Sequence, residues 1–243
     1  MSEIVKTPVI VLRKNDYGDT SKIVTLFSAE YGKFSGIVKA GRSNKSKIGG
    51  IIDVFNYIEI VYYKKESRSI QLLTQSDLIN FYGNIKKDIN KYKYASAILE
   101  VIYELTHENE SNPLLFKGLI RIFDLLENSE TNPKLLFVKF MLFFVKELGY
   151  EININHCSIC ENKITEDGYL DMYHGTLCNS CYSNNEIPAN ISKELFKNIK
   201  CLTTRNNDIS IDDNNLEYLL AFIQRYLKRN IPDFSGIKSL NIY

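Results

Sequence analysis

The chain is poor in the residues and patterns on which enzymes most often depend. It has 3 histidines among 243 residues, so histidine-based catalysis has little to draw on. The acidic residues of the N-terminal part are scattered among predicted turns, whereas a metal-dependent nuclease needs clustered carboxylates. A convincing pair of nucleophile and base is also missing from the sequence. We therefore expect a protein that is not an enzyme.

Long hydrophobic runs are missing as well. The most apolar stretch, 135–148, is interrupted by Lys139, Lys146 and Glu147, which makes it too short and too charged to span a bilayer. The N-terminus carries an acidic residue and lacks the apolar region and small-residue cleavage site of a secretory signal. These absences predict a soluble protein of the cytoplasm with no membrane partner.

The chain does have enough apolar material for a core, and its charge is unevenly distributed. Apolar residues make up 44% of the chain, and the length suits one large domain or two ordinary ones. The net charge is only +1, but residues 1–50 hold nine lysines and arginines against four acids. Such asymmetry is typical of a site for a polyanion. A solvated basic face in a lysine-rich chain would look the same, so charge alone leaves both interpretations open.

Five short strands are predicted in about the first 80 residues, because β-branched apolar runs alternate there with turn signals. The five runs are 8–13, 22–28, 33–40, 51–63 and 69–78. Strands of this size and number predict a small closed barrel, since closure removes exposed sheet edges. An SH3-like barrel is the competing architecture.

A polar segment at 41–50, between the third and fourth strands, is predicted to be a mobile basic loop. Its cations suit contacts to phosphates, which are strong in sum but carry no sequence information. Barrels that bind single strands add aromatic side chains on which bases stack, and Tyr31 and Phe34 are the better candidates here. Strand alternation nevertheless buries about half of such side chains. The predicted nucleic-acid contacts are Arg13, Lys14, Lys33, Phe34, Lys39, Arg42, Lys45 and Lys47.

The apolar period becomes helical after residue 82. Asn112-Pro113 and Asn132-Pro133 each place an N-cap asparagine before a proline at the first helical position. The second pair opens a segment that is apolar on nearly every face and stops at Gly149, which predicts a buried central helix.

Two further helices are predicted at 192–202 and 213–229, the second with a clean apolar stripe. The resulting layout is a barrel of residues 1–80 followed by a helical domain of residues 81–243. A module rich in cysteine, at about 150–188, interrupts the helical domain.

The strongest local pattern is C-x2-C-x17-C-x2-C, formed by Cys157, Cys160, Cys178 and Cys181. Each pair places two thiolates on one side of a tight loop, and two pairs complete a tetrahedral zinc site with a short hairpin between them. Four cysteines leave no open coordination position. The pattern therefore predicts one structural Zn²⁺ rather than a catalytic one.

Other uses of the cysteines explain the pattern less well. Paired disulfides need an oxidising compartment, a redox C-x2-C is expected once at a helix start, and the spacing favours zinc over an iron–sulfur cluster. His156 and His174 flank the pairs and could replace a cysteine, but an exposed or outer position is expected for both. Cys201 lies among apolar residues of a predicted helix and is expected to be a core thiol.

In order and spacing, these segments resemble the RecO family of recombination-mediator DNA repair proteins. The resemblance extends over nearly the whole chain and includes 140–150, the four-cysteine module and the C-terminal 238–240. The N-terminal motifs that carry it are Tyr17-Gly18-Asp19-Thr20-Ser21-Lys22, Tyr31-Gly32-Lys33 and Val38-Lys39-Ala40-Gly41-Arg42 with Lys45-Ser46.

The resemblance implies an α+β protein, with an N-terminal OB-fold β-barrel followed by an α-helical domain that carries an inserted four-cysteine zinc ribbon. It implies binding to single- and double-stranded DNA and annealing of complementary strands. It also implies partnership with RecR in loading RecA onto DNA coated by single-strand binding protein. Such a protein is cytoplasmic and associates with the nucleoid during repair. Some family members lack the cysteines, which implies that the metal is structural.

Two positions depart from the family pattern. Glu161 follows the second cysteine where the family often has glycine, and the usual pair of glycines before the third cysteine is reduced to Gly175. Both positions affect the turns of the ribbon more than its ligands, so the zinc prediction stands.

A protein-interaction scaffold is the alternative function. OB barrels and zinc ribbons both host protein interfaces, and a fold does not determine a function. In that case the barrel and the module would bind protein partners without direct contact to DNA.

Overall fold

The computed structural model describes residues 3–43, 46–165, 167–171, 174–184, 192–203 and 211–242. The chain divides into two compact units. One consists of Met1–Thr131 with Ile237–Tyr243, and the other of Asn132–Gly236. A mixed β-sheet in the N-terminal part and helices in the C-terminal part make the protein α+β, as the sequence predicts.

The first unit is built on a closed five-stranded barrel with the neighbour order β1-β2-β3-β5-β4. All neighbouring strands are antiparallel except β3 and β5, which run parallel. The strands are β1 (Glu3–Tyr17), β2 (Ser21–Ser28), β3 (Gly32–Val38), β4 (Tyr57–Lys64) and β5 (Ile70–Asn80).

The length of β1 explains how the barrel closes. Its first half pairs with β4 and its second half pairs with β2, so that one strand of 15 residues joins both sides of the sheet. The centre of β1, from Val9 to Leu12, is buried completely or nearly so. Apolar side chains from all five strands then fill the interior, which excludes water from the backbone hydrogen bonds of the ladder.

The structure corrects the prediction for 41–63. The predicted basic loop contains a short helix, α1 (Lys47–Ile51), whose N-cap Ser46 accepts a hydrogen bond from the backbone of Gly49 at 3.1 Å. The predicted strand at 51–63 begins only at Tyr57. Asn56 helps to hold the intervening segment, because its side chain donates to the carbonyl of Ile51 at 2.7 Å.

Three helices and a 3-10 turn complete the first unit. They are α2 (Gly83–Lys87), α3 (Ile89–Leu105), α4 (Pro113–Asn128) and the turn Lys238–Asn241. The predicted cap at Asn112 is confirmed, since its side chain accepts from the backbone of Leu115 at 2.9 Å. The barrel ends at Asn80, close to the predicted boundary, but the helices α2 to α4 belong to the same compact unit as the barrel.

The β2–β3 hairpin is fastened to the connection between α3 and α4. Gly32 has a φ of +59°, and a Cβ at this position would lie 1.9 Å from the carbonyl oxygen of Glu110. The backbone of Asn109 donates to the carbonyl of Lys33 at 2.8 Å. Ser111 donates through its hydroxyl to the carbonyl of Ala29 at 3.0 Å. Only glycine meets both requirements at position 32, the left-handed backbone and the close approach.

The second unit combines helices with a two-stranded hairpin. Asn132 caps α5 through the backbone of Lys134, at 2.8 Å, and Gly149 follows the end of that helix with a φ of +84°, as predicted. The predicted burial of α5 and of the apolar stripe on α8 is also confirmed. The elements are α5 (Pro133–Glu147), β6 (Gly168–Asp171), β7 (Gly175–Cys178), α6 (Asn179–Asn184), α7 (Lys193–Thr203) and α8 (Asp213–Asn230).

A membrane span was not expected from the sequence. Among the residues that the structure describes, none of the helices combines the length and the apolar character needed to cross a bilayer.

Candidate nucleic-acid interface and metal centre

Three cations line one open cleft at the end of the barrel where β1 turns into β2. We call the set Lys14, Lys22 and Arg42 the basic face. The cleft also contains Asn15 and Asp16 and has a volume of about 550 Å³. The β1–β2 hairpin creates this arrangement: Asp16 pairs with Lys22 across the two strands, and Lys14 lies two residues before Asp16 on the same side of β1.

Lys22 was missing from the contacts predicted from the sequence. Its signal was present in the hairpin register, because a turn at 18–20 places Lys22 opposite Asp16. Residues that pair across two strands share a face of the sheet, and Lys14 and Asp16 share a face of β1. Once the turn is located, Lys22 is therefore expected on the same face as Lys14.

Each cation of the basic face contacts an acceptor of the protein itself. The ammonium of Lys14 lies 2.6 Å from Oδ1 of Asp53, and the ammonium of Lys22 donates to the carbonyl of Gly49 at 3.1 Å. The guanidinium of Arg42 lies 3.4 Å from Oδ2 of Asp16 through Nε and donates to the carbonyl of Gly18 at 3.3 Å. The contacts of Lys14 and Arg42 are exposed and that of Lys22 is partly buried. Exposed contacts of this kind are weak individually and can be exchanged for phosphate.

Asp53 is the carboxylate most firmly held beside the basic face. Its second oxygen lies 3.4 Å from the ammonium of Lys86, which also donates to the side chain of Asn56 at 2.7 Å. Burial raises the pKa of Asp53, but the hydrogen bonds and charges of Lys14 and Lys86 outweigh burial and hold that pKa below its usual value.

The remaining predicted contacts in this region differ in their surroundings. Arg13 stacks over the ring of Tyr103, with 3.4 Å from Cζ to the ring centroid, and pairs with Glu104 at 3.2 Å. Lys39 and Lys47 are exposed. Lys45 lies outside the described residues.

Two predicted contacts, Lys33 and Phe34, are wrong, because both side chains are buried. The ammonium of Lys33 donates to the carbonyls of Tyr103 and Thr106 at the end of α3, and burial lowers the pKa of this lysine. Phe34 is 4% exposed and stacks on Tyr62 with ring centroids 5.2 Å apart. Alternation along β3 points one of the two residues into the barrel, and the connection after α3 covers the other.

The four predicted metal ligands come together in the second unit. All four sulfur atoms, of Cys157, Cys160, Cys178 and Cys181, lie within 4.8 Å of one another. Sγ of Cys160 and Sγ of Cys178 are 3.8 Å apart, far longer than a disulfide bond, and none of the five cysteines of the chain is in a disulfide.

The backbone of the module explains how the sulfur atoms meet. The first cysteine pair lies in a turn closed by a hydrogen bond of 2.9 Å from the Glu161 backbone to the carbonyl of Cys157. Ser158 ties this turn to β7 by donating to the carbonyl of Thr176 at 2.7 Å. Cys178 ends β7, and Cys181 follows in the first turn of α6.

The two departures from the family pattern lie at strained or crowded positions of this module. Glu161 has a φ of +60°, in the region that favours glycine. Gly175 has a φ of +73°, and a Cβ at this position would lie 2.6 Å from the hydroxyl of Ser158. The chain therefore keeps glycine at the position where a side chain would also clash.

The electrostatics of the cluster suit a soft cation. Burial would raise the pKa of Cys157, but hydrogen bonds from the backbone of Cys160, Cys178 and Ile159 outweigh burial and lower the pKa to about 6. Hydrogen bonds with the side chain of Cys160 and the other cysteines, together with burial, raise the pKa of Cys181. Four sulfur donors at these separations fit a tetrahedral ion that prefers thiolate.

The fifth cysteine does not behave as predicted. Cys201 is exposed on α7 rather than buried in the core. The apolar positions that α7 buries are Leu195, Phe196, Ile199 and Leu202, and Cys201 lies off this stripe.

Family models cover nearly the whole chain. The model for the N-terminal part of recombination protein O matches residues 1–82, and the model for its C-terminal part matches residues 86–240. The chain belongs to the RecO family.

Individual RecO proteins agree with this assignment. The DNA repair protein RecO of Chlorobium limicola is 36% identical over 154 residues, which is 63% of this chain and 59% of that protein. The RecO protein of Chlorobium phaeobacteroides is 35% identical over 175 residues, or 72% of this chain and 67% of that protein. Over nearly full lengths, 98% and 97%, the RecO protein of Pelodictyon phaeoclathratiforme is 27% identical.

Proposed function

We propose that this protein is a recombination mediator in DNA repair. In this role it binds and anneals single-stranded DNA and, together with RecR, helps to load RecA. The observation that carries the proposal is the convergence of Lys14, Lys22 and Arg42 on one open cleft of the barrel. Phosphates exchange readily with the weak contacts that these cations make in the free protein.

The architecture of the barrel supports the same proposal. Five strands in the order β1-β2-β3-β5-β4 match a five-stranded OB-fold, whose β1–β2 and β4–β5 loops bind oligonucleotides. The basic face lies at the first of these loops. Contacts to phosphate without base recognition suit a protein that acts on DNA of any sequence.

The four-cysteine cluster is proposed to hold a structural Zn²⁺ within a zinc ribbon. The metal would cross-link the turn of Cys157 and Cys160 to the segment of Cys178 and Cys181. Because the four thiolates fill a tetrahedral shell, the site offers no position for substrate or water, and no catalytic role is proposed.

The partners of the proposed function are single- and double-stranded DNA, RecR and single-strand binding protein, with the RecA filament as an indirect partner. Its compartment is the cytoplasm, with association with the nucleoid during repair. RecO family membership supports these assignments.

The proposal is tested by fluorescence anisotropy of a labelled single strand over a salt series. Lys14, Lys22 and Arg42 are replaced together by alanine. Because each phosphate contact contributes about 0.7 to the slope for single strands, we expect weaker binding and a slope reduced by up to about 2. The matched control replaces Lys87, Lys117 and Arg121, three exposed cations of the first unit, and should bind as wild type does.

One observation favours a scaffold function instead. Each cation of the basic face already contacts an acceptor of the protein, so the face is satisfied without a ligand. Folded, metal-loaded protein that binds RecR but no DNA, even at low salt, would establish the scaffold and exclude the proposed function.

A further inference from the structure

A second cleft of the barrel is formed where the β2–β3 turn meets the β4–β5 turn. We call it the tyrosine cleft, after Tyr31 and Tyr62 on its wall. It has a volume of about 410 Å³, and its cations are Lys64, Lys65 and Arg68. None of these residues belongs to the basic face, and only Tyr31 is among the side chains that the sequence predicts to stack on bases.

The cations of the tyrosine cleft differ from those of the basic face in their electrostatic partners. Within the described part of the chain, no carboxylate lies within 4.0 Å of the charged groups of Lys64, Lys65 or Arg68. Glu30 and Glu66 line the same cleft, and neither forms an ion pair with another described residue. The cleft therefore offers cations that are not engaged by acids, beside carboxylates that can accept hydrogen bonds.

The β4–β5 turn is held in place by one side chain. The amide of Gln71 donates to the carbonyls of Lys65 and Arg68, at 3.1 Å and 2.8 Å, and accepts from the backbone of Lys65 at 3.0 Å. A turn fixed in this way presents its cations without a large ordering cost on binding.

The aromatic side chains of the tyrosine cleft pack on a buried ring of the barrel core. Tyr31 packs edge to face on Tyr62, with ring centroids 6.1 Å apart, and Tyr62 stacks on the buried Phe34. The ammonium of Lys64 lies 4.8 Å from the centroid of the Tyr31 ring. A planar group that stacks on the Tyr31 ring would displace the ammonium of Lys64, which could then contact a neighbouring anion.

We propose that the tyrosine cleft is a second contact site for single-stranded DNA, one that takes a nucleotide with its base against Tyr31 and its phosphates at Lys64, Lys65 and Arg68. The inference rests on the proposed function. A nucleotide satisfies both halves of the cleft, because the N–H groups of its base can donate to Glu30 and Glu66 while its phosphates meet the cations. The side-chain carboxylates of an acidic peptide would meet the cations but offer no hydrogen-bond donor to Glu30 and Glu66. A duplex hides the faces of its bases, so only an unstacked strand can use the ring.

Two variants test this site. One replaces Lys64, Lys65 and Arg68 by alanine, and the other is Tyr31→Ala; the control is again the triple variant at Lys87, Lys117 and Arg121. The first measurement is anisotropy of a labelled oligonucleotide of 12 nucleotides over a salt series. The second is photo-crosslinking of the same oligonucleotide carrying 4-thiothymidine, with the modified peptide identified by mass spectrometry.

If the cleft binds a strand, the triple variant loses about 10-fold in affinity and its salt slope falls by up to about 2, since three phosphate contacts are removed. Tyr31→Ala loses at least about 5-fold with an unchanged slope, because it removes stacking and no charge. Wild-type protein also yields a crosslink to the peptide that contains Tyr31.

The failures of the two proposals are distinguishable. If wild-type protein binds the strand and the basic-face variant weakens it, while both cleft variants behave as the control, the tyrosine cleft is overturned and the proposed function stands. If an acidic peptide displaces the strand only from the cleft and binds there more tightly, the cleft serves a protein partner and the inference is also overturned. If wild-type protein binds no strand at low salt, both fail together.

Discussion

The barrel and the cysteine module reach a defined structure by different means. Apolar side chains from all five strands fill the barrel, and most of them are excluded from water almost completely. The module has few buried apolar residues, among them Ile164, Leu170 and Leu177, and its centre is a cluster of four thiols. Burial of apolar area stabilises the first region, whereas the second is too small for such a core, and we propose that it depends on a metal. The comparison predicts that each region fails under a different treatment.

The largest expected effect is loss of the metal. Structural zinc sites contribute about 10–16 kcal/mol in small peptides, so chelation or Cys157→Ser should unfold residues 151–184 while the barrel stays folded. Hydrogen–deuterium exchange resolved by peptide measures both regions in one sample. Cys201→Ala, which changes a cysteine outside the cluster, should leave both unchanged. Retained protection of the metal-free module would contradict the comparison.

A cavity in the barrel should destabilise the first unit and leave the cysteine module unchanged. Ile60 is 0% exposed, so Ile60→Ala should lower the free energy of unfolding of the first unit by about 2–5 kcal/mol. Metal content should not change. Urea denaturation together with zinc quantification checks both statements. The control is Ile4→Ala, at a position 65% exposed, for which a small change is expected.

A substitution at Lys33 should affect the stability of the barrel without affecting its binding to DNA. Lys33→Met removes the donor from two carbonyls at the end of α3, which should destabilise the first unit by about 1–3 kcal/mol. Because this side chain is buried, the folded variant should keep the salt slope of wild-type DNA binding. A reduced slope would mean that Lys33 contacts phosphate after all. Lys6→Met, at an exposed pair with Glu59, is the control for loss of a charge.

The smallest expected effect is a gain in the stability of the metal-bound module. Glu161→Gly relieves a backbone conformation that is unfavourable for a side chain and should stabilise the metal-bound module by about 0.5–1 kcal/mol. Competition with a chelator measures this as tighter retention of the metal. Lys163→Gly, in the same loop at a position without positive φ, should give no gain.

Local chemistry made several elements predictable from the sequence. Asn112 and Asn132 were identified as caps because an asparagine before a proline satisfies helical backbone donors by itself. The cysteine cluster was predicted from its spacing, because two C-x2-C pairs are typical of a tetrahedral zinc site. The stripe on α8 followed from its period.

The errors arose where distant segments meet. Alternation along β3 assigns Lys33 and Phe34 to opposite faces, which makes at least one appear exposed. Both are buried, because the connection after α3 covers the outer face, and the pattern of β3 alone does not contain that information. Tyr31 was identified as a stacking candidate, but the cations of the tyrosine cleft were missed for the same reason. Tyr31 and Lys64 are brought together by the closure of the barrel, not by proximity along the chain.

The contact between Gly32 and the carbonyl of Glu110 has a consequence for the order of assembly. The β2–β3 hairpin precedes this carbonyl in the chain, so it leaves the ribosome first and can form from neighbouring residues alone. The segment after α3 can take its place only beside the bare backbone at position 32, because its carbonyl occupies the space where any other residue there would carry a side chain. A residue larger than glycine at position 32 would therefore separate two segments that lie far apart in the chain, and the connection between α3 and α4 would have to leave the hairpin.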